Sequence, residues 1–225
     1  MRTPRAATTV EDDDVGSLSI AVVGAGRVGR ALGPRWAAAG HAIRYGVRDP
    51  DDERFADLRD HADVTTPAEA AAGADALLLA VPWGAVETVA TQLGELGDTV
   101  VLDATNPLAG GSHAIDDGRS GAEVVAATLR GGRVVKAFNT TGSRNLSDPS
   151  GYDPAPVMWL AGDDASACEL AAGLASDVGF APVLAGDLAG ARELEHLAVL
   201  WIRLAHRLGH GPDLVLTAQR RTARP

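Results

Sequence analysis

Unbroken apolar runs alternate with helical stripes along most of this chain. Residues 18–23, 75–81, 99–103 and 133–138 are short runs rich in Val, Leu, Ile and Ala with little polar alternation, the pattern of strands buried on both faces of a parallel sheet. Between them, residues 30–39 carry Ala31, Leu32, Trp36, Ala37 and Ala38 as a helical stripe that Gly40 ends. Further helices are predicted over 53–60, 67–73 (with Pro67 in its first turn), 85–96 and 123–129, and short strands over 41–46 and 62–65. After a polar stretch at 147–156 that reads as a linker, the pattern gives a strand at 157–161, a helix at 164–178, a strand at 182–185 and a last helix at 191–208. In that helix Leu194, Leu197, Ala198, Trp201, Leu204, Ala205 and Leu208 recur at helical spacing, and Val199, Leu200 and Ile202 widen the stripe. So broad an apolar surface predicts burial on two sides, against the sheet and against either a ligand or the second subunit of a homodimer.

The first apolar run passes straight into Gly24-Ala25-Gly26-Arg27-Val28-Gly29 and then into a helix. In a strand-turn-helix of this spacing the three glycines do different things. Gly24 allows the tight turn, Gly26 lets a pyrophosphate approach the backbone, and Gly29 lets the helix pack close to the sheet. The anion sits at the helix N-terminus, where unpaired N–H groups and the positive dipole end face it. The repeated strand-helix order predicts an α/β fold, a Rossmann-type doubly wound and mostly parallel sheet, over residues 18–150. A mobile tail at 1–17 precedes it, and a smaller C-terminal α/β-helical cap at 151–225 follows, for substrate and dimer contacts.

The cofactor is chosen at the tip of the second strand, Gly46-Val47-Arg48-Asp49-Pro50. An acidic residue there receives the ribose 2′-hydroxyl of NAD, whereas an arginine accommodates the 2′-phosphate of NADP. Asp49 lies at about the right distance for the first role, yet before a proline and an acidic helix start it more naturally makes a turn or a cap. Arg48 is the better-placed reader, and NADP the favoured cofactor. Ligands bind beyond the carboxyl ends of such strands, so Val81-Pro82-Trp83 and Asn106-Pro107 are expected to line the same cleft, with Asn139 at its edge. The polar, glycine-rich segment 108–121, which contains His113, is expected to be a surface loop able to cover it.

Charge and composition narrow the partners. The chain has 225 residues, enough for a full core, and a formal net charge of −10, which offers no broad cationic field to a nucleic acid or an anionic membrane. The single cysteine, Cys168, excludes an internal disulfide. The N-terminal residues lack an apolar core of the signal-peptide kind and no stretch is long and apolar enough to span a bilayer, so a cytoplasmic protein with small-molecule partners is expected. No Cys/His cluster has metal-ligand spacing, and no catalytic side chain is assigned. Three functional readings follow: hydride transfer between NADP(H) and a second cofactor, NADPH-dependent reduction of a small carbonyl or imine, or an NADP-binding redox module without turnover. The second calls for a proton donor such as His113 or Lys136; otherwise the two are an ordinary loop histidine and strand cation.

Several blocks together carry a family resemblance: residues 22–29, 46–50 and 80–83, Asp103-Ala104-Thr105-Asn106-Pro107-Leu108, Val134-Val135-Lys136-Ala137-Phe138-Asn139-Thr140, and residues 193–202 with Leu200-Trp201-Ile202. From residue 20 to about 214 the chain resembles the NADPH-dependent reductases of coenzyme F420, an 8-hydroxy-5-deazaflavin. The resemblance implies that residues 24–29 hold the pyrophosphate, Arg48 the 2′-phosphate, and Val81, Asn106 and Ala137 the nicotinamide half, with the deazaflavin stacked on the nicotinamide as co-substrate. One departure is Val47, where that family commonly has serine or threonine. It removes a hydrogen bond to the 2′-phosphate and leaves charge recognition to Arg48.

Overall fold

A computed structural model describes residues 16–219 and 221; the expected tail at 1–17 falls outside them except for its last two residues. In chain order the strands are β1 (Ser19–Val23), β2 (Ala42–Gly46), β3 (Asp63–Thr65), β4 (Ala76–Leu79), β5 (Glu95–Asp103), β6 (Leu108–Ala109), β7 (Ser112–His113), β8 (Arg130–Lys136), β9 (Val157–Gly162) and β10 (Ala181–Leu184). Eight of them form one sheet, in the order β10-β9-β8-β5-β4-β1-β2-β3, and β6 and β7 pair apart from it. Every neighbouring pair in the large sheet is parallel except β8 and β9, which are antiparallel. The doubly wound, mostly parallel Rossmann-type sheet is thus present.

Its strands lack polar alternation because both faces are covered. Ile20 and Val22 of β1 face one core with Leu32, Trp36, Leu78, Leu102 and Val135. Ala21 and Val23, pointing the other way, join Leu77, Leu79, Val101, Val125 and Leu194. The helices are α1 (Arg27–Ala38), α2 (Ala56–Arg59), α3 (Pro67–Ala71), α4 (Val86–Leu93), α5 (Gly121–Thr128), α6 (Ser143–Ser147), α7 (Ala165–Asp177) and α8 (Ala191–Ile202). Capping boxes start α3, through Thr66 and Glu69, and α5, through Ser120 and Glu123.

Local expectations shift at several ends. The helix expected at 85–96 stops at Leu93, because Gly94 turns at φ +73° and Glu95 and Leu96 enter β5 through an irregular register with β8. The loop at 108–121 contains the small antiparallel hairpin of β6 with β7. The helix expected at 191–208 is α-helical to Ile202 and then winds as a π-turn over Arg203–Arg207. The segment 147–156, which follows α6, joins two parts of one sheet, since β9 and β10 extend it. Trp36 Nε1 of α1 donates to Leu174 O of α7 (2.9 Å), and His41 Nε2 meets Asp177 Oδ2 at 3.1 Å, so the chain after residue 150 is stitched to α1 and to the connection that follows it.

Candidate functional site: a cleft at the glycine turn

The β1–α1 turn is built from three glycines with different needs. Gly24 has φ +104°, and a Cβ there would lie 2.4 Å from Ala80 O. A Cβ on Gly29 would lie 2.2 Å from Gly24 O. Both glycines are required by the protein itself, for the turn and for the approach of α1. Gly26 is different: a Cβ on it would meet nothing within 4 Å. It is the N-cap of α1 and no side chain caps that end, which leaves the first-turn N–H groups without a side-chain acceptor beside this open space.

That space is a cavity of about 580 Å³. The glycine turn forms its floor, Val47 and Arg48 one rim, and Val81 and Pro82 the other. Arg48 is exposed and has no hydrogen bond or ion pair among the described residues. Val47 is 6% exposed and belongs to the core of β1 and α1, so its side chain brings the rim no polar atom. Arg54 also lines the cavity, with its guanidinium 4.6 Å above the Phe55 ring and its Nε 3.1 Å from Asp52 Oδ2. Sequence reasoning missed it, because in Asp51-Asp52-Glu53-Arg54 it reads as a surface cation; only the fold carries it to the rim. The cap of the 53–55 turn is Asp52, whose Oδ1 accepts from Arg54 N (2.9 Å). Asp49 contributes its carbonyl to that turn, accepting from Asp52 N at 3.3 Å.

Of the residues expected to share this cleft, Gly24, Ala25, Gly26, Val47, Arg48, Val81 and Pro82 line the cavity. Trp83 does not: it packs half-buried against the core beneath α4. Arg27 and Val28 turn to a smaller recess of about 300 Å³ beside Gly142, Arg144, Trp201 and His206. Asn106, Ala137 and Asn139 do not line the cavity either; they gather just beyond the carboxyl ends of β5 and β8. There Asn139 Nδ2 donates to Asn106 Oδ1 (3.0 Å), Asn106 Nδ2 donates to Asn139 O (3.2 Å), and Ala137 N donates to Asp103 O (3.1 Å). Phe138, between Ala137 and Asn139, holds φ +59° while fully packed against Trp36. Strained backbone of this kind persists only where surrounding packing imposes it.

His113 and Lys136 turn out to belong to one buried ionic cluster. Lys136, Asp103 and Glu195 have side chains that are 0% exposed. Lys136 Nζ donates to Asp103 Oδ2 (2.8 Å) and Thr105 O (2.8 Å) and lies 3.0 Å from Glu195 Oε1, so all three of its donors are committed. His113 Nε2 donates to Glu195 Oε2 at 2.7 Å. Burial by itself pushes the Glu195 carboxyl up, but the Lys136 charge, the Gly121 N–H and the hydrogen bonds from His113 and Lys136 outweigh it and hold the group below the usual glutamate value. Neither His113 nor Lys136 lines the cavity. No sequence signal marked Glu195, since a glutamate in an amphipathic helix ordinarily faces water.

Comparison with known proteins fits this geometry. Residues 19–107 match the model of the family described as NADP oxidoreductase, coenzyme F420-dependent. The chain is 28% identical over 177 residues to the metalloreductase STEAP3 of Rattus norvegicus, covering 78% of this chain and 35% of that protein; it therefore spans about a third of the length of that curated relative. A crystal structure from Arthrobacter sp. FB24, of a protein proposed as an F420-dependent NADP-reductase, superposes with a TM-score of 0.79 at 28% identity, over 91% of this chain and 100% of that one. Protein SMa0349 of Sinorhizobium meliloti does so with a TM-score of 0.70 at 29% identity, over 90% and 96% of the two chains. An Aspergillus terreus reductive aminase in complex with NADPH shares the fold, with a TM-score of 0.62 at 21% identity over 86% of this chain and 63% of that one.

Proposed function

We propose, from the match of residues 19–107 to the model of the family described as NADP oxidoreductase, coenzyme F420-dependent, that this chain is a cytoplasmic enzyme transferring a hydride between NADP(H) and the deazaflavin coenzyme F420. The observation that carries the reading is Gly26, a turn glycine with open space where its side chain would be, at the uncapped start of α1. The residues present suit an anionic dinucleotide. Residues 24–29 would hold the pyrophosphate on backbone N–H groups, and Arg48, with Arg54 beside it, would grip the 2′-phosphate. Val81 and Pro82 would flank the path towards the nicotinamide, and Asn106, Ala137 and Asn139 would shape its end. When bound, the nicotinamide and the deazaflavin supply the hydride chemistry between ring carbons.

The chain's own part is to bind, to orient the two rings and to exclude water. No side chain has to move a proton, and the two candidates for that role, His113 and Lys136, are engaged with Glu195 and absent from the cavity wall. Residues 18–150 would hold the dinucleotide, and residues 151–225 would face the acceptor and a second subunit. Leu200 and Leu208, exposed at 46% and 57%, are apolar residues of the segment 191–208 that such a dimer contact would cover. Mixing the protein anaerobically with NADPH and oxidised deazaflavin tests the reading. Loss of the deazaflavin's visible absorbance is expected; bound NADPH without oxidation by any acceptor would instead mean a binding module.

A further inference from the structure

Asn106 is fixed in the chain from both sides. Just before it, Thr105 N donates to Asp103 Oδ1 (2.9 Å), and Thr105 O accepts from Lys136 Nζ (2.8 Å). Just after it, Leu108 N donates to Asn106 O (2.9 Å), and Leu108 lies opposite His113 in the β6–β7 hairpin. Both fixings end on a single carboxylate: Lys136 Nζ is 3.0 Å from Glu195 Oε1, and His113 Nε2 is 2.7 Å from Glu195 Oε2. The same turn of α8 reaches Asn106 a third way, because Asn139 Nδ2 donates both to Asn106 Oδ1 (3.0 Å) and to Leu194 O (3.2 Å). Those two acceptors fix the orientation of the Asn139 amide. Its Oδ1 is then left buried and without a partner among the described residues.

We infer that Glu195 is a positioning residue, which sets the Asn106–Asn139 pair at the nicotinamide end of the cleft; the inference rests on the nucleotide reading above. A carboxylate suits this role better than an apolar side chain because its two oxygens accept directionally from two elements at once, β8 and the hairpin. Glu195 also accepts from Gly121 N (2.9 Å) and Ala122 N (3.2 Å), which ties the start of α5 to the same point. A buried ion pair left with one partner is strongly disfavoured, so the arrangement tolerates little displacement. In this way α8 dictates where the carboxyl ends of β5 and β8 would meet the nicotinamide.

The test separates the two ends of the cofactor. The adenosine end is read by titration with 2′,5′-ADP, which has no nicotinamide, and the ring end by the change in NADPH fluorescence on binding. In Glu195→Gln the 2′,5′-ADP affinity should stay within about twofold of wild type, while the ring emission change falls about fivefold or more and hydride transfer at saturating substrates falls at least about tenfold. A folded Glu195→Gln with the wild-type ring signal overturns the inference, and so does a parallel loss of both signals, which marks a merely structural role. Should Glu195→Gln not fold, His113→Gln removes one arm and leaves Lys136 paired. Its ring signal should drop about twofold with 2′,5′-ADP binding retained, and an unchanged ring signal overturns the inference. A wild-type protein that binds neither ligand overturns the nucleotide reading, and the inference with it.

Discussion

Gly29 sits so close to Gly24 that a Cβ on Gly29 would lie 2.2 Å from the Gly24 carbonyl oxygen. Two residues of one short motif therefore hold strand and helix together by having no side chains, while Gly26 between them faces open space. The motif divides into a part that serves the fold and a part left for a ligand.

That division predicts opposite behaviour for two alanine variants. Gly29→Ala should lower unfolding stability by about 1–3 kcal/mol through overpacking. Gly26→Ala, at φ −83°, should cost less than about 1 kcal/mol as an N-cap change. It should nevertheless weaken NADPH by roughly tenfold or more, about 1.4 kcal/mol, because the methyl group occupies the phosphate's approach. Urea denaturation and cofactor titration give the two numbers, and undiminished NADPH affinity in Gly26→Ala would remove the turn from the binding site.

Arg48 should discriminate between cofactors. With no partner of its own in the described protein and a buried Val47 beside it, Arg48→Ala should weaken NADPH by roughly ten- to hundredfold, the loss of a charge-assisted contact of about 1.5–3 kcal/mol. NADH affinity should hardly change. Equal losses for both cofactors would mean that Asp49 or the backbone reads the ribose.

Stability should fall at both pH extremes for identifiable reasons. The Glu195 carboxyl lies below its usual value in the folded protein. Its contribution is therefore complete above the unfolded glutamate pKa of about 4.3 and is lost as pH falls through the lower folded value. On the alkaline side, burial pushes the Tyr45 hydroxyl up to about 12. Tyr45 then favours folding fully below the unfolded value of about 10 and loses that contribution as pH rises towards the folded one, at no more than about 1.4 kcal/mol per pH unit. Thermal unfolding across pH checks both limbs: Glu195→Gln should flatten the acid limb and Tyr45→Phe the alkaline one.

Hydride transfer between two ring carbons needs no side-chain acid. His196 is the histidine whose ring lies 5.0 Å from that of His113, with its side chain 47% exposed. His196→Ala should change the rate of NADPH oxidation by less than about tenfold, whereas general acid–base catalysis is typically worth about 10²–10⁴-fold. A loss on that larger scale with NADPH binding intact would favour reduction of a carbonyl or imine.

The sequence by itself determined the elements that depend on near neighbours. The spacing of Gly24, Gly26 and Gly29 after an apolar run specifies the β1–α1 turn, and the unalternating strands specify a sheet covered on both faces, because each rule acts within a few residues. The place of Arg48 on the cavity rim was legible for the same reason, since it lies at the tip of the strand next to that turn. Only the tertiary structure decided the rest. Nothing local shows that β9 runs antiparallel to β8 or that Arg54 reaches the cleft rim. The clearest case is the ionic cluster, where His113 meets Glu195 across 82 positions and Lys136 meets Asp103 across 33. Read singly, these are a loop histidine, a helix glutamate and a strand lysine. Periodicity reports which face of its own element a residue occupies, whereas a charge is stable in the core only when distant elements bring its partners within hydrogen-bond reach.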